Sequence, residues 1–140
     1  MKFRKGIVAV LRDARGLVLL AERSDHPGAW QFPQGGIEPG ETAEQAFHRE
    51  VREELGARAR VVKAGREWTR YEWPRVGRDG VNGQEQTWFL GELETPPDLA
   101  SSDHCFRDWK WCTGELALAA VVEWKRPAYR QGLGSLGLLP

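Results

Sequence analysis

The sequence predicts an α/β fold, a mixed sheet sandwiched by helices, and three observations predict it. Short runs that are β-branched and apolar, or that alternate with period two, recur between Gly6 and Cys112 and read as strands. One capped amphipathic segment, Thr42–Gly56, interrupts them and reads as a helix. An alanine-rich apolar segment, Glu115–Val122, follows the last strand and reads as a second helix. At 140 residues this is enough chain for one domain, 1–140, with a core of its own.

Taken in order, Gly6–Leu11 is a buried strand, Asp13–Gly16 a turn, and Leu17–Arg23 a second strand forming a hairpin with the first. Ser24–Gly28 is a loop, with His26 a solvated member of it. Trp30–Pro33 is extended and delivers the chain to a glycine-rich loop, Gln34–Glu41. Thr42 and Gln45 then form a capping box, and Gly56 supplies a left-handed stop. Between them Phe47, Val51 and Leu55 share one face and meet the core. Beyond the helix, Arg60–Gly65, Arg66–Trp73 and Gln84–Leu93 read as strands, the last two separated by the Pro74–Gly83 loop. A polar loop, Thr95–Asp103, leads to the alternating strand Arg107–Cys112. Pro127–Gln131 fits a third helix with proline in its first turn, and Gly132–Pro140 reads as a frayed tail.

Composition narrows the function. Acidic and basic residues balance to a net charge of zero, so no bulk basic field draws nucleic acid, and phosphate contacts must come from local clusters. No apolar run approaches the roughly 18 residues of a membrane span, and no secretory leader precedes the first strand. The two cysteines, Cys105 and Cys112, have neither disulfide-framework nor zinc spacing and read as ordinary thiols of a reducing cytoplasm. No obligatory protein partner is evident.

The central helix breaks local rules. Glu50 and Glu54 are like charges at i,i+4, an arrangement that opposes helix formation by about 0.2–0.5 kcal/mol. Glu53 and Glu54 put negative charge in the last turn, against the helix dipole, at about 0.3–1 kcal/mol each. Arg49 offsets part of this by pairing with Glu53 at i,i+4. Local violations of this kind mark functional sites, and a bound hard dication such as Mg²⁺ or Mn²⁺ is the simplest compensation. A solvated acidic stripe is the plainer reading of the same residues.

The spacing decides between them. Gly35-x5-Glu41-x7-Arg49-Glu50-Val51-x-Glu53-Glu54-x-Gly56 resembles the Nudix box. A chance match of its fixed identities, each at roughly 7% usage, is on the order of one in 10⁸ per start position. Ala57, where the family usually has a larger aliphatic residue, is a departure that touches no chemistry. The resemblance implies an α/β/α sandwich and a metal-dependent hydrolase of phosphoanhydrides. It places the cations, more than one Mg²⁺ or Mn²⁺, on Glu50 and Glu54, with Glu53 and a main-chain oxygen near Gly35 assisting. Arg49 orients the set by pairing with Glu41 or Glu53.

Trp30–Gly36, Trp68–Tyr71, Gln84–Leu90, Phe106–Trp111 and Val121–Arg126 extend the resemblance to one branch of the family. That branch holds the bacterial RNA 5′-pyrophosphohydrolases and the asymmetric diadenosine tetraphosphate hydrolases. The substrate is then a 5′-triphosphate RNA end or, alternatively, a dinucleoside polyphosphate. A non-catalytic nucleotide-binding module is a third reading, against which the intact Glu41, Arg49, Glu50, Glu53 and Glu54 argue. The branch often supplies a further glutamate from the loop before the late Trp-x-Trp strand. Here that position is Cys105, a poor ligand for a hard ion. Asp103 or His104 can take its place as ligand or base, or Glu53 can activate water. His48, beside Arg49, reads as a partly exposed helical residue. Arg23, Arg70, Arg75 and Arg78 are candidates for a phosphate grip, Trp124 and Tyr71 for stacking a base, and Lys125 for contacting it.

Overall fold

The structure is a computed structural model that describes residues 1–139. Eight strands form two sheets, and α1 (Ala43–Leu55) lies against one side of them. The larger sheet takes β1 (Lys2–Leu11), β4 (Gln34–Gly36), β5 (Ala59–Ala64), β6 (Thr69–Glu72) and β7 (Val81–Leu93), in the order β4-β1-β7-β5 with β6 also on β7. It is mixed, because β1 and β7 run parallel while the other pairs are antiparallel. The smaller sheet is antiparallel, with β2 (Val18–Arg23) between β3 (Trp30–Gln31) and β8 (Phe106–Cys112).

Period-two alternation gives the sandwich its two cores. Ile7, Ala9 and Leu11 of β1 pack with Leu19, Phe89 and the Phe47–Val51–Leu55 face of α1. Val8 and Val10 point the other way. They meet Phe32, Trp88 and Leu20 beneath α2 (Gly114–Ala120) and α3 (Arg126–Ser135), which contribute Leu118, Tyr129 and Leu133. Phe47, Val51 and Leu55 are fully buried, each worth about 1.5–3 kcal/mol. Both predicted ends of α1 form: Thr42 and Gln45 make the reciprocal capping box, and Gly56 adopts φ 61°.

Two expectations are corrected. The first two strands do not make a hairpin. Beyond the Asp13–Gly16 turn a single bridge joins Arg12 to Val18, and β2 enters the smaller sheet instead. Nor does the chain fray at Gly132, because α3 runs on to Ser135 and Leu133 and Leu136 are buried. The last residue of that expected tail, Pro140, lies outside the described residues.

Candidate active site

The site grows from the packing of α1 on the edge strand β4. Arg49 is its hub. Its Nε and Nη2 each donate to one oxygen of Glu41 at 2.8 Å, and Nη2 also donates to the Gly36 carbonyl at 2.7 Å. Nη1 donates to Glu50 at 2.6 Å and to Glu53 at 3.3 Å. The bidentate pair holds the Glu41 carboxyl down at a pKa of about 2, and the same carboxylates raise the guanidinium's. Glu41 in turn accepts from the Glu38 main-chain N–H at 3.0 Å, which pins the loop to the helix.

Glu50 and Glu54 stand in a different environment. Both are buried, 8% and 7% exposed. Burial raises the Glu50 pKa against the pull of Arg49. Burial raises that of Glu54 further, helped by the charge on Glu50, and only the Gln34 main-chain N–H, 2.9 Å from Glu54 Oε1, opposes it. A buried carboxylate of raised pKa, with a second beside it, is a site short of positive charge. Gly35 makes the approach possible, since a Cβ there would lie 2.1 Å from the Glu50 carboxyl carbon. This cradle and its oxygen donors fit a hard divalent ion. Among the described residues no three acidic, histidine or cysteine side chains already converge on one point. Glu50 and Glu54 would supply two ligands, and main-chain oxygen near Gly35, Glu53 or water the rest.

The loop before β8 closes the site. The Asp103 main-chain N–H donates to the Glu53 carbonyl at 2.7 Å, and the charge of Asp103 is felt by both Glu50 and Glu54. His104 holds a left-handed φ of 63° and is exposed. Burial and the neighbouring Asp103 push the Cys105 thiol up to about 12, so it stays neutral beside the acids.

The chain matches the NUDIX domain family over residues 2–132. An RNA pyrophosphohydrolase of Rhodospirillum rubrum is 36% identical, with 97% of this chain and 88% of that protein covered. One from Shewanella loihica is 39% identical over 92% and 80%. A Caenorhabditis elegans Ap4A hydrolase structure shares the fold at TM-score 0.68 and 24% identity, covering 96% of this chain and 98% of that one. The chain belongs to the Nudix family.

From the Nudix acids a groove runs across the smaller sheet. One part is lined by Gln34, Glu54, Cys105, Arg23 and Gln31. Arg23 and Gln31 also line the next part, which Trp30, Val121, Trp124 and Lys125 complete. Trp124 is 38% exposed and tilts against the buried Tyr71 ring at 5.4 Å. Lys125 Nζ lies over both rings, and burial, then the nearby Arg23 charge, lowers its pKa to about 8. Arg23 pairs with Asp25 at 2.5 Å, at the junction of the two parts.

The structure therefore brings Arg23, Tyr71, Trp124 and Lys125 together. It does not bring Arg70 to them. Consecutive strand residues point to opposite faces, and Arg70 pairs with Glu85 and stacks over Phe3 instead. Arg75 and Arg78 are exposed in the loop between β6 and β7. Sequence reasoning missed Gln34, whose main-chain N–H holds Glu54. It also missed Gln86, a fully buried amide on β7 that hydrogen-bonds to Gln34. The only signal for Gln86 was a polar residue in the alternating register of Trp88 and Leu90.

Proposed function

We propose that this Nudix hydrolase removes pyrophosphate from 5′-triphosphate RNA ends, using Mg²⁺ or Mn²⁺ held by Glu50 and Glu54. The observation that carries the reading is the buried, under-compensated Glu54 at the head of a groove that ends in an aromatic and a lysine. The names of the relatives from Rhodospirillum rubrum and Shewanella loihica support the RNA end as substrate. Ions held by Glu50 and Glu54 would neutralise charge on the phosphates and lower the pKa of a bound water.

The residues divide the remaining work. Trp124 offers a face for a base, and Lys125 beside it offers a donor to an acceptor on the base or to a phosphate. Arg23 guides the phosphates towards Glu54. Water adds to a phosphorus, the phosphoanhydride P–O bond breaks, and pyrophosphate leaves a 5′-monophosphate end. Glu53, at the helix rim, and Asp103, on the facing loop, are the carboxylates placed to accept the water's proton. Arg49 keeps Glu41, Glu50 and Glu53 in register throughout. The free thiols Cys105 and Cys112 suit a cytoplasmic setting.

A dinucleoside polyphosphate, which presents the same phosphate chain, is the alternative substrate. Parallel assays on triphosphate RNA and diadenosine tetraphosphate with Mg²⁺ or Mn²⁺ test the choice. Release of pyrophosphate from RNA is the expected result. Turnover of the dinucleotide alone would transfer the assignment to it, and no turnover of either would favour a binding module.

A further inference from the structure

Three buried polar atoms have no hydrogen-bond partner among the described residues: Tyr71 Oη, Gln84 Oε1 and Gln86 Oε1. They sit on neighbouring strands, with Tyr71 opposite Gln84 and Gln86 two residues further along β7. Gln86 is the most unexpected. It is fully buried on the strand face that carries Trp88 and Leu90 into the core. An unmet buried acceptor costs about 1–3 kcal/mol, so an apolar residue of similar size would suit this position better for stability alone.

What Gln86 does with its other atom explains it. Nε2 donates to Gln34 Oε1 at 2.9 Å. Gln34 is the residue whose main-chain N–H lies 2.9 Å from Glu54 Oε1. It belongs to a three-residue edge strand that, among the described residues, pairs with β1 alone. The hydrogen bond spans β1, where Gln34 is the register partner of Val8 and Gln86 that of Gly6. A Cβ at Gly6 would lie 2.6 Å from the Gly35 carbonyl oxygen and 3.1 Å from Gln84 Oε1, so the bare backbone there lets β4 lie close against β1. The result is a lateral tie from the central strand β7, over β1, to the point where β4 grips the helix carboxylate.

We infer that Gln86 is a positioning residue for Glu54, acting through Gln34. It touches neither ion nor substrate. It fixes the edge strand so that the Gln34 N–H orients one oxygen of Glu54 and leaves the other for a cation. Outer-shell partners of this kind change metal affinity by about 10–100-fold. The inference rests on the metal-site reading above.

The test is Mn²⁺ binding to the full chain without nucleotide, followed by the EPR signal of free Mn²⁺. Wild type is compared with Gln86→Met, Gln34→Met and the double variant, with melting temperature read alongside. The expected result is binding about tenfold weaker in each single variant and no weaker again in the double, because both cut one chain of contacts. Wild-type affinity in Gln86→Met would overturn the link, as would losses that simply add in the double variant. A lower melting temperature with unchanged Mn²⁺ affinity would reduce Gln86 to a core residue and also overturn it. Should Gln86→Met fail to fold, Gln34→Met, at a half-exposed position, decides by the same measure. Absence of Mn²⁺ binding in wild type would overturn the metal reading and this inference together, whereas an effect-free variant of a binding-competent protein overturns only this inference.

Discussion

Glu41 and Glu54, two carboxylates of one motif, stand at opposite electrostatic extremes. Arg49 donates to Glu41, Glu50 and Glu53, and its bidentate grip holds Glu41 ionised with a pKa near 2. Glu50 and Glu54 are buried and have their pKa values raised, although only one helical turn separates Glu50 from Glu53 and Glu54. Glu41 is compensated from within the chain, Glu50 in part by the same arginine, and among the described residues no cationic side chain bonds to Glu54, which leaves room for a cation from outside. Charge count alone does not distinguish a structural acid from a ligand. Burial and the bonds each carboxylate receives do: Glu41 is gripped by a guanidinium, whereas Glu54 is buried on the Gln34 N–H.

Glu54→Gln breaks the comparison most sharply. It would remove a proposed ligand and a buried carboxylate at once. Turnover should fall by more than about 100-fold, while the ion-free protein melts no lower than wild type. A joint loss of activity and thermal stability would make Glu54 a fold residue. Glu41→Gln is the mirror experiment. It frees one side of Arg49 without touching the buried pair, so activity should drop by about tenfold and stability should fall with it. Equal effects from the two variants would erase the distinction.

Proton linkage separates Glu41 from Glu50 and Glu54 again. Because Glu54 and Glu50 have folded pKa values above their unfolded ones, the folded state binds more protons between the two values. Ion-free stability should therefore fall as pH rises from about 4.3, the unfolded value, through the raised ones. Glu41 has the opposite sign, so its contribution is complete above about 4.3 and is lost only as pH drops through about 2. Mn²⁺ at 100 times its Kd should restore about 2.7 kcal/mol where the buried pair is ionised and much less in acid. Melting curves at pH 4.5 and 8, with EDTA or Mn²⁺, read this directly. A metal-induced shift equal at both pH values would contradict it.

Much of this site was legible because it is local. The capping box, Gly56 and the Glu-Arg spacing sit within one loop and one helix, where chain distance and space distance agree. The errors are non-local. The turn at Asp13–Gly16 looks the same whether the next strand returns to its own sheet or starts another, and the sequence near it holds no signal of β8 waiting to pair. The glycines of the tail suggested fraying, yet Gly132 lies against Trp88, where a Cβ would come within 2.1 Å of the indole. The link from Gln86 to Glu54 spans residues far apart in the chain and passes through a main-chain N–H, which no residue pattern encodes. Arg70 is different, because its misplacement contradicts a periodicity already visible: if Tyr71 faces the core, Arg70 faces away.

That periodicity yields the smallest prediction. Arg23 and Arg70 are both candidates for the phosphate grip, but one lines both parts of the groove and the other lies on the far face of β6, over Phe3. Arg23→Ala should raise KM by roughly tenfold or more, the worth of a hydrogen bond to a charged phosphate. Arg70→Ala removes an exposed pair with Glu85, worth about 0–1 kcal/mol to stability, and should leave KM within about twofold. Steady-state kinetics on the same polyphosphate substrate compare them. A comparable rise in KM for both would mean that phosphates reach the Phe3 face, and the groove assigned here would then be only part of the path.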